Sequence, residues 1–256
     1  MNPKKYAIQL VSRIARANNY HVIADWDIAS FPFTQHLREV FSAYEVDCVL
    51  DVGANIGQYR DLLRDKVGFE GQILSFEPVS HIYRALVERA KADPNWTVFP
   101  FALGSAPGSA QINVTKAPSR NSLLPPRNDV VTQFWSEDAV TGLETVKIQT
   151  IDQVMSQQGI DCSSRSIYLK MDTQGFDLEV AKGAAASLTK IRALQLEASI
   201  RPIYHGMPSY HEAIAFMNEA GFEISGMFKI SNDERLRIVE FDCVMVNNRY
   251  AGAKGL

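Results

Sequence analysis

Few cysteines, no long apolar run and no surplus of either charge set the first limits on this 256-residue chain. Its three cysteines, Cys48, Cys162 and Cys243, lie far apart with no C-x-x-C pair, so no zinc site of that kind is expected. Wide spacing and an odd count read as reduced thiols, with Cys48 and Cys243 packed in apolar runs. No apolar stretch approaches the roughly 18 residues of a membrane-spanning helix. Arg13 and Arg16 interrupt the N-terminal apolar stretch that a secretory leader needs, so a soluble, cytoplasmic protein is expected. With 26 basic against 29 acidic residues the net charge is −3, and nothing draws the chain to nucleic acid or an anionic membrane. What is present, 46% hydrophobic and 21% charged residues, is ordinary globular usage with enough length for one large core.

Residues 1–47 open with Ala7, Leu10, Val11 and Ile14 at helical spacing, followed by Trp26, Phe31, Phe33 and Phe41. They read as a helical, aromatic cap on a main domain at 48–256. That domain alternates strands with helices, which implies right-handed crossovers and a largely parallel sheet. Strands are expected at 48–52, 72–77, 97–103, 166–171 and 193–197, with helices after the first, second and fourth. Between 105 and 150 the rhythm changes to a long excursion rich in Pro, Ser and Asn, flanked by strand-like 111–115 and 145–150. Ser209 and Glu212 form a capping box for a further helix, which Gly221 ends. Two last strands, 222–230 and 237–247, read as a hairpin at the sheet edge.

The most informative segment is Asp51-Val52-Gly53-Ala54-Asn55-Ile56-Gly57, where a strand turns into a helix. A dinucleotide fingerprint places glycines where this chain has Asn55 and Gln58, which weakens a diphosphate reading. The D-x-G-x-x-x-G form suits S-adenosylmethionine (SAM), which has no phosphate to cradle. Glu77 ends the next strand, where a carboxylate accepts both ribose hydroxyls of a bound nucleoside.

These residues, with Phe76-Glu77-Pro78, Phe101-Ala102-Leu103-Gly104, Asn121-Ser122, Thr150-Ile151-Asp152 and the stretch Lys170-Met171-Asp172-Thr173-Gln174-Gly175-Phe176-Asp177, resemble the FkbM-type SAM-dependent methyltransferases. The likeness runs in the family's order over about residues 48 to 247. It implies a Rossmann-like class I methyltransferase fold: a seven-stranded mixed sheet with helices on both faces and a C-terminal antiparallel hairpin. It implies SAM as cofactor, with Asp51, Gly53, Ala54, Asn55, Gly57 and Tyr59 at one end of the site. Glu77, Pro78, Ala102, Leu103 and Asp172 complete the cofactor set.

An alcohol acceptor must lose its proton during transfer, and a side chain in reach assists. Asp172, at the end of a buried strand, is one candidate catalytic residue; His205, a neutral imidazole near pH 7, is the other. Asn121, Ser122, Gln174, Phe176, Glu197, Tyr204 and Tyr210 are the candidate acceptor-side residues. Asp177, where many relatives carry Glu, reads as support for the following helix, and Glu212 as a helix cap. His211, inside the capping box, ranks below His205 as a base, and His21, His36 and His81 read as surface or packing residues. Two carboxylates on separate strands, Asp172 and Glu197, do not make a metal site, and no metal is expected.

The leading expectation is O-methylation of a hydroxyl on a saccharide or small natural-product intermediate, the sugar being implied by the resemblance. A nicotinamide oxidoreductase and a non-catalytic SAM-binding partner subunit are the alternatives. Nucleic-acid base methylation is not expected, because Pro125-Pro126 is followed by Arg127 where an aromatic residue would be needed. A homo-oligomer is left open.

Overall fold

A strand covered by helices on both faces must be apolar almost throughout, and Cys48-Val49-Leu50-Asp51-Val52 meets that condition with all five residues buried. In the computed structural model, which describes residues 22–127, 140–161 and 164–250 with 11, 15, 17, 18 and 20, this is β1 (Cys48–Val52). It is followed by β2 (Gln72–Phe76), β3 (Trp96–Phe99), β4 (Ala102–Leu103), β5 (Gly108–Thr115) and β6 (Val140–Gln149). The later strands are β7 (Ile167–Met171), β8 (Ala193–Ser199), β9 (Phe222–Asn232) and β10 (Ile238–Asn247). Among the described residues, α1 (Phe31–Ala43) precedes them, and α2 (Gln58–Asp61, continued by a π turn at Leu62–Val67), α3 (Ser80–Ala90), α4 (Ile151–Gln157), α5 (Asp177–Lys182) and α6 (Tyr210–Glu219) lie between them.

Seven strands form one sheet in the order β3-β2-β1-β7-β8-β10-β9. The first five run parallel, β10 runs antiparallel beside β8, and β9 pairs antiparallel with β10 at the edge. The doubly wound, Rossmann-like sheet and its terminal hairpin are those expected. Strand order reverses beside β1, so the crevice beyond the ends of β1, β2 and β7 is where such a sheet binds ligands.

Both faces are packed. One core joins Leu50, Leu74, Leu169 and Leu196 to Val180 of α5 and Met217 of α6. On the other face Leu37, Val40 and Phe41 of α1 meet Val49 and Tyr168, with the Phe41 and Tyr168 rings 4.8 Å apart. Residues 31–43 thus share a core with the main domain. The helix expected at 7–14 lies outside the described residues apart from Val11, and Cys162 lies outside them altogether. Cys48 and Cys243 are buried.

The stretch 97–103 is not one strand. It breaks after Phe99, and Ala102–Leu103 passes into a second sheet of order β4-β6-β5. Pro100, at the break, has no N–H to give a ladder. The expected excursion is therefore built largely as a small sheet, with β5 and β6 antiparallel over most of their length. Of the segment that connects them, residues 116–127 are described, and 128–139 lie outside the described residues. The Ser209–Glu212 capping box is present, and Thr150 with Gln153 forms another at the start of α4, a helix the periodicity did not suggest. Among the described residues no helix is long and apolar enough to cross a membrane.

Candidate active site

The turn after β1 fits only because of what its residues lack. Gly53 has φ +79°, and a Cβ there would lie 1.9 Å from the carbonyl oxygen of Asp172. The two strand ends can approach this closely only with glycine. Asn55 is also left-handed, at φ +47°, a conformation asparagine tolerates better than most residues. That explains asparagine where a dinucleotide fingerprint has glycine. At Gly57, φ +88°, a Cβ would press on the Trp96 ring at 2.8 Å.

Left-handed Asn55 points its backbone N–H at Glu77, donating to Oε2 at 2.9 Å, while Val79 N–H donates to Oε1 at 2.8 Å. The carboxyl is thereby fixed at the end of β2, with one of the two lone pairs on each oxygen left over. Burial raises its pKa to about 7, against the pull of those two N–H groups.

Beside these residues lies a cavity of about 350 Å³, within the range of about 300–1,000 Å³ usual for small-molecule sites. Its walls include Gly53, Ala54, Asn55, Tyr59, Glu77, Pro78, Ala102 and Leu103. Asp172, Asn121, Ser122, Gln174, Phe176 and Glu197 also face it. Asp51 and Gly57 do not. Asp51 is fully buried behind the turn, accepting from Ser75 Oγ at 2.8 Å and pairing with Lys170 Nζ at 3.1 Å. Its place is the support of the turn rather than the cavity wall.

The acceptor-side expectations divide. Gln174, left-handed at φ +54°, donates through Nε2 to Asp172 Oδ1 at 3.1 Å and to Glu197 Oε2 at 2.7 Å. Its Oε1 accepts from Tyr204 O–H at 2.9 Å, so Tyr204 orients Gln174 from behind. Ser122 Oγ donates to the Gln174 carbonyl at 2.8 Å, and Asn121 Oδ1 accepts from Thr115 N–H at 2.9 Å. Tyr210 packs in α6, its ring 5.9 Å from Phe241, away from the cavity wall.

His205 is placed elsewhere. After β8 the chain pairs with 125–127, His205 N–H donating to Pro125 O and Tyr204 bridging Pro126, so the ring lines a separate surface hollow with Arg127 and Met207. Asp177 anchors the loop as well as starting α5. Its Oδ1 accepts from Thr173 N–H and O–H, and its Oδ2 from Glu197 N–H at 3.0 Å.

Among the cavity residues that the sequence reading did not single out, three are polar side chains carried by strands of the large sheet: Lys170, Gln195 and Asp242. Each is a polar residue in an otherwise buried strand, and that pattern is itself a signal. Gln195 Oε1 accepts from Tyr59 O–H at 2.9 Å and its Nε2 donates to Asp242 Oδ1 at 2.8 Å. Burial pushes Asp242 up to about 7 and Asp177 up to about 6, and carries Glu197 well above the usual carboxylate range, with Asp172 adding to it. Among the described residues no three His, Cys, Asp or Glu converge as metal ligands.

A model of the methyltransferase FkbM domain matches residues 51–224, more than half of the chain. The chain belongs to the FkbM methyltransferase family. Its sheet is accordingly the Rossmann-like class I methyltransferase fold. Among solved structures, an FkbM methyltransferase from Methylobacillus flagellatus is similar at 18% identity and TM-score 0.47 over 78% of this chain and 43% of that one. The chain therefore spans less than half the length of that relative. Fibrillarin from Aeropyrum pernix, solved with natively bound SAM, is similar at 14% identity and TM-score 0.41, covering 78% of this chain and 66% of its own. An rRNA methylase from Streptococcus thermophilus is similar at 11% identity and TM-score 0.40, covering 84% and 93%. No curated protein sequence matches the chain.

The carboxyls of this FkbM-family site make stability depend on pH in a defined direction. Glu77, Asp177 and Asp242 have folded pKa values above their ordinary ones. Between about pH 4 and 7 the folded chain therefore holds protons that the unfolded chain has released, so stability falls as pH rises through that window. Asp93 and Glu179, whose pKa values are lowered chiefly by hydrogen bonds and ion pairs to Arg64 and Arg60 and to Lys182, act below it. Melting followed by calorimetry without ligand should give a higher Tm at pH 5 than at pH 8. A Tm that rises across this interval contradicts the assignment.

Proposed function

We propose that the chain transfers a methyl group from SAM to a hydroxyl of a saccharide or other natural-product intermediate. The observation that carries the donor reading is Glu77: a carboxyl held at the tip of β2 by two backbone N–H groups, with acceptor capacity left for two ribose hydroxyls. The residues fit such a nucleoside. Gly53 permits close backbone approach, and Ala102 and Leu103 offer an apolar wall beyond Glu77. Asn55 has a buried Oδ1 with no partner, an acceptor ready for a donor group of a ligand.

SAM supplies a methyl group activated on a sulfonium. The chain's part is to align an acceptor and take its proton. Asp172 is the residue for that proton: it faces the cavity, keeps 42% of its side chain in solvent, and is oriented by Gln174. Glu197, tied to the same amide, lines the acceptor side with Asp242, its register partner across β8 and β10. The choice of a saccharide hydroxyl follows the family resemblance. A cytoplasmic setting belongs to the same proposal.

Isothermal titration is the test. SAM and S-adenosylhomocysteine (SAH) should bind one to one at micromolar concentrations and NADH should not. Binding of NADH in preference to SAM would replace the proposal with hydride transfer. SAM binding without methylation of any nucleotide sugar or saccharide tried would favour a non-catalytic partner role.

A further inference from the structure

A lysine in the middle of a buried strand needs a reason, because an unpaired buried ammonium is strongly disfavoured. Lys170 sits in β7 with 3% of its surface exposed, and its Nζ is 3.1 Å from Asp51 Oδ1 and 3.5 Å from Asp172 Oδ2. It also donates to the carbonyl of Gly53 at 3.1 Å and lies over the Tyr59 ring, 5.2 Å from its centre. Burial alone would lower its pKa; Asp51 and then Asp172 outweigh that and raise it. The ammonium is therefore the meeting point of the acid behind the turn, the turn itself and the acid at the tip of β7.

The cavity around it is acidic. Glu77, Asp172, Glu197 and Asp242 all face it. Burial holds Glu77, Glu197 and Asp242 toward the neutral acid, which leaves Asp172 and, behind the turn, Asp51 as the carboxyls paired with Lys170, the only cation among the described residues that line it. That balance matters for sulfonium chemistry. As the S–CH₃ bond breaks and the O–C bond forms, the positive charge on sulfur disappears and the acceptor proton passes to a carboxylate. An uncompensated anionic wall would stabilise the sulfonium before transfer more than during it, which raises the barrier.

We infer that Lys170 sets the charge facing the donor: by cancelling Asp51 and Asp172 it keeps the cavity from holding a sulfonium much more tightly than the neutral sulfur left after transfer. Lys170 is a positioning residue in this role, acting through the two carboxylates and the Gly53 turn. The inference rests on SAM being the donor.

SAM and SAH differ by one methyl group and one positive charge, so the ratio of their dissociation constants reads charge while a loosened turn weakens both alike. Titration calorimetry on wild type, Lys170→Met and Lys170→Arg makes the test. In Lys170→Met the ratio should move toward SAM by about five- to thirtyfold, the order expected when one unit charge is removed from a partly screened site. Lys170→Arg keeps the charge and should keep the ratio within about twofold, even if both affinities fall. Should Lys170→Met not fold, Asp172→Asn reports the same balance from its other side, and its ratio should move toward SAH. A ratio unmoved in Lys170→Met, or in Asp172→Asn where that stands in, overturns the inference while leaving the donor reading intact. Wild-type protein that binds neither compound removes the donor reading, and this inference with it.

Discussion

Glu77→Gln is expected to weaken SAM binding by roughly 30- to 700-fold. Both oxygens of Glu77 already accept a backbone N–H, from Asn55 at 2.9 Å and Val79 at 2.8 Å. A glutamine amide offers one oxygen and one NH₂, so one of these N–H groups would face another donor and the turn would lose its clamp. The amide also lacks an acceptor for one ribose hydroxyl. Hydrogen bonds to a charged group contribute about 1.5–3 kcal/mol each, and a loss of about 2–4 kcal/mol corresponds to the range given. Because burial lifts the carboxyl to about 7, wild-type affinity should itself rise from pH 6 to pH 8 as Glu77 ionises. Calorimetric titration at both pH values checks the two effects together. A Glu77→Gln dissociation constant within threefold of wild type would remove Glu77 from the donor site.

Gly53→Ala should lower stability by about 3 kcal/mol or more. A left-handed non-glycine residue costs about 1–2 kcal/mol, and here the added Cβ would also sit 1.9 Å from a backbone oxygen that belongs to β7's exit. The strand ends would have to separate, opening the turn that carries Asn55. For a chain of this length each kcal/mol shifts Tm by roughly 2–4 °C, so a fall of roughly 6–12 °C is expected. Two other glycines separate the contributions. Gly68 has φ +81° with nothing within 4 Å of where a Cβ would stand, so Gly68→Ala should show the conformational part alone, roughly 2–8 °C. Gly108, with ordinary φ and open space, should lose about 1 °C or less. Equal losses at Gly53 and Gly68 would show that the approach of Asp172 is not what requires glycine.

What could be read in advance follows from how locally each feature is encoded. Buried parallel strands are continuous apolar runs, so 48–52, 72–77 and 166–171 were visible, as was the capping box at Ser209. The turn residues 53–57 carry their own conformational demands and were equally plain. Partnership across strands was not. Lys170 acquires its meaning from Asp51 in the neighbouring strand, and Asp242 from Glu197 and Gln195 on β8, through registers that no short window contains. The break between β3 and β4 was hidden because Phe99, Phe101, Ala102 and Leu103 are all apolar. His205 looked eligible by chemistry, but the pairing of 203–205 with 125–127 turns that segment away from the cavity.

The crevice is walled by two separately hydrogen-bonded sheets. β1, β2 and β7 supply the Gly53 turn, Glu77 and Asp172, whereas the β4-β6-β5 sheet and the loop after β5 supply Ala102, Leu103, Ile112, Pro118, Ser119 and 121–123. Edits to the small sheet break no ladder of the large one. Over generations the outer wall can be recut for a new guest away from Ser122, whose hydroxyl holds the Gln174 carbonyl, so most of one half of this pocket can keep a different evolutionary clock from the other.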